Sequence, residues 1–326
     1  METSDICCIR WVVKTGEVNS IIADESPLVS VGIPTYNRPE NLRRTLECIT
    51  GQTYKNLEII VSDNCSPNPD VERVGREFAD KDPRVQYFRQ KENFGGEYNS
   101  KFVLGKATGE YFMWAADDDE WKTTSIESLL RPLRENAKCV TAFCPYIFID
   151  AKGRAISESR TYDYSSKYCI IRLLKFCLYY DDAFIYGLHR KEAVKNMKLP
   201  IWWSVNAKSP YNSAYPVLFY LLSTGDFALA GSSPLWFNRI RVNAKLNEYH
   251  YIPFVTENRS LVLAYFAFVL RKINVLYECE RSIWQGSRSM FNVIFSFLPL
   301  LCRCVYDCFK DPIIYGIPLL TNLKES

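Results

Sequence analysis

Tyr111-Phe112-Met113-Trp114-Ala115-Ala116-Asp117-Asp118-Asp119-Glu120 decides the reading of the fold: six apolar residues, then four acids. An uninterrupted apolar run of this length reads as a strand buried on both faces. Carboxylates crowded at the mouth of such a strand repel one another and are costly without a counter-charge. A divalent cation is the usual remedy. Oxygen-only ligands suit Mg²⁺ or Mn²⁺, which keep waters and take further ligands from a substrate's phosphates. A solvated turn between strand and helix is the simpler reading, and the run alone does not decide between the two.

Toward the N-terminus the same pattern recurs. Leu28–Ile33 predicts a buried strand ending at Pro34. Pro39 stands where a helix begins, with Leu42, Leu46 and Ile49 on one face and a stop near Gly51. Leu57–Val61 predicts a second strand, closing at Ser62-Asp63-Asn64. A short helix follows around Val71–Phe78, then a third strand at Val85–Phe88 and the loop Asn93-Phe94-Gly95-Gly96. Glu97–Lys106 predicts a helix ended by Thr108-Gly109, which leads into the opening strand. Strands alternating with crossover helices predict an α/β fold, a mostly parallel central sheet flanked by helices.

Ligands of such sheets bind beyond the carboxyl ends of the strands. Thr35-Tyr36-Asn37, Asp63, Asn93 through Gly96 and Asp117–Asp119 all fall at those ends and should share one rim. Four polar groups at successive strand ends favour a ligand site over a plain turn. Asp63 can accept a hydrogen bond from a uracil-type N–H, Pro34 and Tyr36 can offer a carbonyl and an aromatic wall, and Gly95-Gly96 allow close backbone approach. Asp118 can set a metal against a diphosphate. Taken singly, Asp63 also reads as a turn-forming residue, and the glycine pair as an ordinary turn.

The whole chain sets outer bounds. With 326 residues, 48% hydrophobic and 24% charged, it is globular in composition and long enough for one large domain or two smaller ones. A net charge of +3 argues against a nucleic-acid partner, and two histidines argue against a His-based metal site. The twelve cysteines include no CxxC pair. Reduced thiols in a cytoplasmic protein are expected, without a signal peptide. No apolar run reaches spanning length.

The stretches Val29-Ser30-Val31-Gly32-Ile33-Pro34-Thr35-Tyr36-Asn37-Arg38, Val61-Ser62-Asp63-Asn64-Cys65-Ser66 and Ala107-Thr108-Gly109-Glu110-Tyr111 leading into Asp117-Asp118-Asp119 resemble the family 2 glycosyltransferases of GT-A fold. The resemblance is dense over Pro27–Asp119 and continues loosely through Phe184-Ile185-Tyr186-Gly187-Leu188-His189-Arg190 to about Arg241. It implies an extension at 1–26 and a GT-A domain at 27–245. That domain divides into a Rossmann-like nucleotide-sugar-binding half, 27–120, and an acceptor-side half, 121–245. A helical C-terminal extension, 246–326, follows.

The activity implied is metal-dependent, inverting transfer from a nucleotide-diphospho-sugar, a UDP-sugar favoured, to a glycan or lipid-linked acceptor. Carried over by position, Pro34, Thr35, Tyr36, Asp63, Asn93, Gly96 and Asp117 hold the donor, and Asp118 ligates Mn²⁺ or Mg²⁺. Two departures stand out. Ala116 occupies a position where many relatives carry Asp. The start of the acceptor-side helix, expected from about Tyr215 to Ser223, reads Asn212-Ser213-Ala214-Tyr215 and lacks the usual acid.

Asp181 and Asp182 are therefore the substitute candidates for a general base, with Asp119 and Glu120 behind them. Asp181 and Asp182 read equally as residues that cap or flank a helix. Arg241, where relatives often have His, suits a phosphate clamp or a plain surface position. Trp202, Trp203 and Tyr211 suit sugar stacking or ordinary packing. Leu261–Lys272 and Ile283–Phe309 predict helices that pack on the catalytic domain, or lie on the inner face of a membrane. Two rival readings are a catalytically impaired nucleotide-sugar binder and a nucleotidyltransferase. The second expects a Gly-rich basic loop where Pro34-Thr35-Tyr36-Asn37-Arg38 stands.

Overall fold

The computed structural model describes residues 26–150, 152–159, 162–179, 181–195, 197, 214–231, 236–239 and 261–311. Residues 1–25 of the expected extension, and Trp202, Trp203, Tyr211, Asn212, Ser213 and Arg241, lie outside the described residues.

The first part of the chain alternates as predicted: β1 (Val29–Thr35), α1 (Pro39–Thr50), β2 (Leu57–Asp63), α2 (Pro69–Lys81), β3 (Val85–Arg89), α3 (Gly96–Lys106) and β4 (Tyr111–Trp114). Then follow β5 (Glu120–Trp121), α4 (Ser125–Glu135), β6 (Cys139–Phe143), β7 (Tyr146–Ile149), β8 (Ala155–Glu158) and α5 (Cys169–Leu178). A 3₁₀ turn at Ala183–Tyr186 precedes β9 (Leu188–Arg190), α6 (Lys191–Lys195), α7 (Ala214–Thr224), β10 (Asp226–Leu229) and β11 (Trp236–Arg239). The helices α8 (Leu261–Ser287) and α9 (Met290–Asp311) complete the described chain.

A seven-stranded sheet runs in the order β10-β6-β9-β4-β1-β2-β3. Its pairs are parallel except where β9 inserts antiparallel between β4 and β6. One face is covered by the apolar stripes of α1, α2 and α4, through Leu42, Leu46, Val71, Val74, Ile126 and Leu129. The other face buries Val103 of α3, Phe176 of α5, most of α7, and Val275 and Ile283 of α8. A four-stranded sheet, β5-β11-β7-β8, stands beside the acidic run.

Two boundaries differ from the sequence reading in a way that matters. β1 and β2 each run two residues past the expected ends at Ile33 and Val61, so Thr35 and Asp63 are register partners inside the ladder. Pro34 is tolerated there because pairing with β4 has already stopped at Gly32. In the C-terminal part, the expected helix Ile283–Phe309 is split: Arg288 adopts φ 51°, and the chain turns from α8 into α9.

The amino ends of the strands are held by Glu58, buried in β2. It accepts from Ser30 Oγ, from Thr108 Oγ1 at 2.9 Å and from Gly109 N at 2.9 Å. Burial opposes its charge, but these hydrogen bonds outweigh it and hold the pKa below the usual range. A Cβ on Gly109 would come within 2.5 Å of the Leu28 carbonyl oxygen, so only glycine fits this crossing. Thr108-Gly109 is thus a structural clamp at the end of the sheet away from the acidic run.

Candidate active site

At the carboxyl ends of β1 and β4, Thr35 Oγ1 donates to Asp117 Oδ2 at 2.7 Å, and Arg38 Nη1 donates to Asp117 Oδ1 at 2.8 Å. The same Arg38 nitrogen is 3.4 Å from Asp118 Oδ2. Asp117, Asp118 and Asp119 are all buried, while Arg38 keeps solvent access on about a third of its side chain, 35%. Burial pushes the Asp117 carboxyl above the ordinary aspartate range, and the guanidinium of Arg38 opposes that shift. Thr45 of α1 fastens the turn from behind, donating from Oγ1 to the Asp119 carbonyl oxygen at 3.0 Å. Trp236 Nε1 donates to Asp119 Oδ2 at 2.9 Å.

Asp63 is fully buried at the end of β2. Its Oδ1 accepts from Ser66 N at 2.8 Å and Ser66 Oγ at 2.5 Å, and its Oδ2 accepts from Tyr87 O–H at 2.8 Å and Arg89 Nη1 at 2.6 Å. Four donors match the lone-pair capacity of a carboxylate. A base N–H reaching Asp63 would have to displace one of them. The residue therefore builds the loop that carries Asn37, whose N–H donates to Ser66 Oγ at 2.8 Å. Tyr36 stands 42% exposed on the same rim, the one large aromatic side chain of β1's exit that solvent reaches.

The loop after β3 joins this rim through Asn93, whose Oδ1 accepts from Asn64 Nδ2 at 2.8 Å and from Gly95 N at 2.9 Å. Gly95 has φ 88°, and α3 starts at the exposed Gly96. Asn99, on α3, locks the two central strand ends together. It donates to the carbonyl oxygens of Thr35 at 3.3 Å and Ser62 at 2.8 Å, and accepts from Ser62 Oγ at 2.6 Å. Pro34, Thr35, Tyr36, Asp63, Asn93, Gly96, Asp117 and Asp118 thus all lie at the carboxyl ends of neighbouring strands or in the loops that follow them.

Asp181 and Asp182 lie elsewhere in sequence but connect to the acidic turn through the smaller sheet. Tyr146 O–H donates to Asp181 Oδ1 at 3.2 Å, the Tyr146 ring lies 4.7 Å from that of Trp236, and Trp236 bonds Asp119. Asp181 also accepts from Ala183 N at 2.9 Å. Burial raises its pKa to about 6, in the range useful to a general base near neutrality. Asp182 is exposed to solvent, yet the protein crowded around its carboxyl raises its pKa too. The helix α7 opens without an acid in its first turn. His189, by contrast, is a buried core residue between Thr141 Oγ1 at 2.9 Å and the Ile185 carbonyl oxygen at 3.0 Å, and burial lowers its pKa to about 4.

Arg38, Asn99, Tyr146 and Trp236 escaped the sequence reading. Arg38 alone had a signal, standing between a strand end and a helix start across from an acidic run. Among the described residues, no three His, Cys, Asp or Glu side chains converge into a protein-only metal cage. The donor set at Asp117–Asp118 nevertheless fits a hard divalent cation that takes one carboxylate from the protein and its remaining ligands from phosphates and water.

A profile described as Glycosyl transferase family 2 matches residues 30–195. An uncharacterized glycosyltransferase of Rickettsia typhi is 35% identical over 132 residues, 40% of this chain and 40% of that protein. A GalNAc(5)-diNAcBac-PP-undecaprenol beta-1,3-glucosyltransferase of Campylobacter jejuni is 34% identical over 133 residues, 40% of this chain and 42% of that protein. The chain thus spans less than half the length of these curated relatives. In fold it is similar to TarS 1–349 of S. aureus solved with UDP-GlcNAc, at TM-score 0.55 and 15% identity over 82% of this chain and 73% of that one.

Proposed function

This chain belongs to glycosyl transferase family 2, and from that premise we propose that it moves a sugar from a nucleotide-diphospho-sugar to an acceptor hydroxyl, inverting the anomeric carbon. The observation that carries this reading is the buried acidic turn, Asp117–Asp119, at the carboxyl end of β4, facing Thr35 and Arg38 at the end of β1. The nucleoside would lie along Pro34-Thr35-Tyr36, with Tyr36 as its wall and the backbone at Asn93–Gly96 beside it. A UDP-sugar is favoured, because the fold neighbour TarS was solved with UDP-GlcNAc.

In the transfer, the acceptor oxygen attacks the anomeric carbon as the bond from that carbon to the diphosphate breaks. The acceptor proton passes to a carboxylate, for which Asp181 and Asp182 are the candidates. Asp118, backed by Asp117, would hold a divalent cation, and a bound cation neutralises charge on the leaving diphosphate. Arg38 adds a fixed positive charge at the same end of the cleft and draws the diphosphate toward the rim. Thr35 and Thr45 keep the acidic turn in place.

The acceptor is proposed to be a glycan or a lipid-linked saccharide, a class suggested by the undecaprenol-linked substrate in the Campylobacter relative's name. Residues 27–245 would form the catalytic unit and 246–326 its helical extension. The test is a panel of nucleotide sugars with Mn²⁺ or Mg²⁺, read as released nucleoside diphosphate. Release from one sugar class, abolished in Asp181→Asn or Asp182→Asn, supports transfer. Donor-induced stabilisation with no release or transfer across a broad acceptor panel would instead support a non-catalytic binder, which the acid-free start of α7 favours.

A further inference from the structure

The helices α8 and α9 expose a large apolar surface while burying polar residues beside Val275, Ile283 and Leu300. Lys272, Asn274, Glu278, Ser282 and Ser296 are buried, whereas Ile294 is 61% and Leu298 64% exposed. Between residues 269 and 306, every described exposed side chain is apolar, aromatic or Cys302, with the single exception of Arg288. On α9 the described exposed residues, 290/291, 294/295, 297/298, 302 and 305/306, trace one stripe at helical spacing. Leu270, Ile273, Tyr277 and Trp284 extend the exposed apolar surface onto α8. The helix α5 packs on α9 and adds Ile171 and Leu178, the latter 71% exposed. Monomeric soluble proteins seldom show an apolar surface of this extent.

We propose that this surface docks α8, α9 and the outer side of α5 in the plane of a lipid bilayer. Three observations select lipid as the occupant. No described helix is long and apolar enough to cross a membrane, so the stripe suits helices lying along the interface. The exposed charge described on the three helices is basic, Arg288 at the turn, and the half-buried Arg303 lies over the Tyr306 ring at 5.8 Å. No described exposed residue on the three helices is acidic, which complements anionic headgroups, whereas a protein partner's rim commonly mixes both signs. Tyr277, Trp284 and Tyr306 are also the amphipathic aromatics that favour the headgroup level.

The docked orientation bears on the proposed transfer, and this part rests on that reading. Leu178 and Tyr179 are exposed just before Asp181 in the chain. The bilayer would therefore meet the protein beside the candidate base, where a lipid-linked hydroxyl could enter without leaving the interface.

The test is flotation of the full chain with vesicles of phosphatidylcholine, alone or mixed with phosphatidylglycerol. The wild type should float with both and more completely with the anionic mixture. The triple variant Ile294→Glu, Phe295→Glu, Leu298→Glu should lose about tenfold or more in vesicle affinity, each change removing an apolar contact and adding a charge. Its stabilisation by UDP with Mn²⁺ should match the wild type, which separates docking from the donor site. A wild type that stays with the unfloated protein, or a triple variant that floats equally well, would overturn the proposal. So would a tight wild-type dimer that the triple variant breaks and that ignores vesicles. Should the triple variant misfold, Trp284 reports on the otherwise intact chain. Bromine-labelled lipid tails should quench its fluorescence, and Trp284→Phe should remove most of the quenching; equal quenching in both proteins would count against docking.

Discussion

Arg38 and Asp117, 79 positions apart, form an ion pair of 2.8 Å in which the carboxylate is buried and the guanidinium reaches solvent. The same nitrogen faces Asp118. One arginine thus supplies the counter-charge for a turn that would otherwise crowd carboxylates at a strand end. Arg38→Gln keeps some hydrogen-bonding capacity but removes the charge. The expected loss of stability is about 1–2 kcal/mol, below the 3–5 kcal/mol typical of fully buried pairs because Arg38 is partly solvated. Added Mn²⁺ should restore more stability to the variant than it adds to the wild type, read as a thermal shift. An equal response would mean that cation and arginine do not share the turn.

Asp118 is the residue on which the metal reading rests. Wild type should be stabilised by UDP, and more so by UDP with Mn²⁺. Asp118→Ala should keep the first increment and lose the second. Thermal denaturation with and without a chelator separates the two. If no nucleoside diphosphate shifts the wild type at all, the donor-site assignment fails along with the metal.

The parts of this site that were legible in sequence are the local ones. Runs of buried β-branched residues at Val29–Ile33 and Leu57–Val61 announce strands whatever they pair with, and the alternation with helices orders the sheet. Those strands, with β4, bring Thr35, Asp63 and Asp117 to one rim. The contacts that organise the rim are between side chains far apart, such as Thr35 with Asp117 across 82 positions and Trp236 with Asp119 across 117. Pairings of that range leave no periodic trace. Three-residue β9, antiparallel within the parallel sheet, is likewise too short to carry a pattern. The Thr108-Gly109 motif was legible as sequence but not as to role, since its hydrogen bonds to Glu58 become visible only when β1 sets β2 on one side of it and the entry to β4 on the other.

Asp181 makes stability and activity depend on pH in opposite senses. Burial raises its folded pKa to about 6 from the ordinary aspartate value of 3.8. Below the lower value both folded and unfolded chains hold the proton, so burial costs nothing there. Between the two values the unfolded chain releases its proton first, and stability falls as pH rises through about 6. Asp181→Asn should therefore raise stability at pH 7.5 by about 1–2 kcal/mol, after discounting for partial exposure, and change little at pH 4. If Asp181 is the base, the wild-type rate should rise between pH 5 and 7 while the variant loses transfer. Denaturant melts at the two pH values, beside a pH–rate profile, test both halves.

Gly95 and Gly96 look alike in sequence, and the structure separates their reasons. A Cβ on either would meet nothing within 4 Å, so packing requires neither. Gly95 has φ 88°, a conformation that costs an L-residue about 1–2 kcal/mol, and Gly95→Ala should lower stability by roughly that amount. Gly96 begins α3, where alanine is a better helix former, so Gly96→Ala should leave stability unchanged or slightly higher. The absence of a side chain at Gly96 therefore has no purpose in the protein's own packing. If a nucleotide-sugar approaches that backbone, Gly96→Ala should weaken its binding several-fold without harming the fold. Calorimetric titration with UDP, alongside thermal melts of both variants, distinguishes the cases; undiminished UDP affinity in Gly96→Ala would remove the glycine from the donor site.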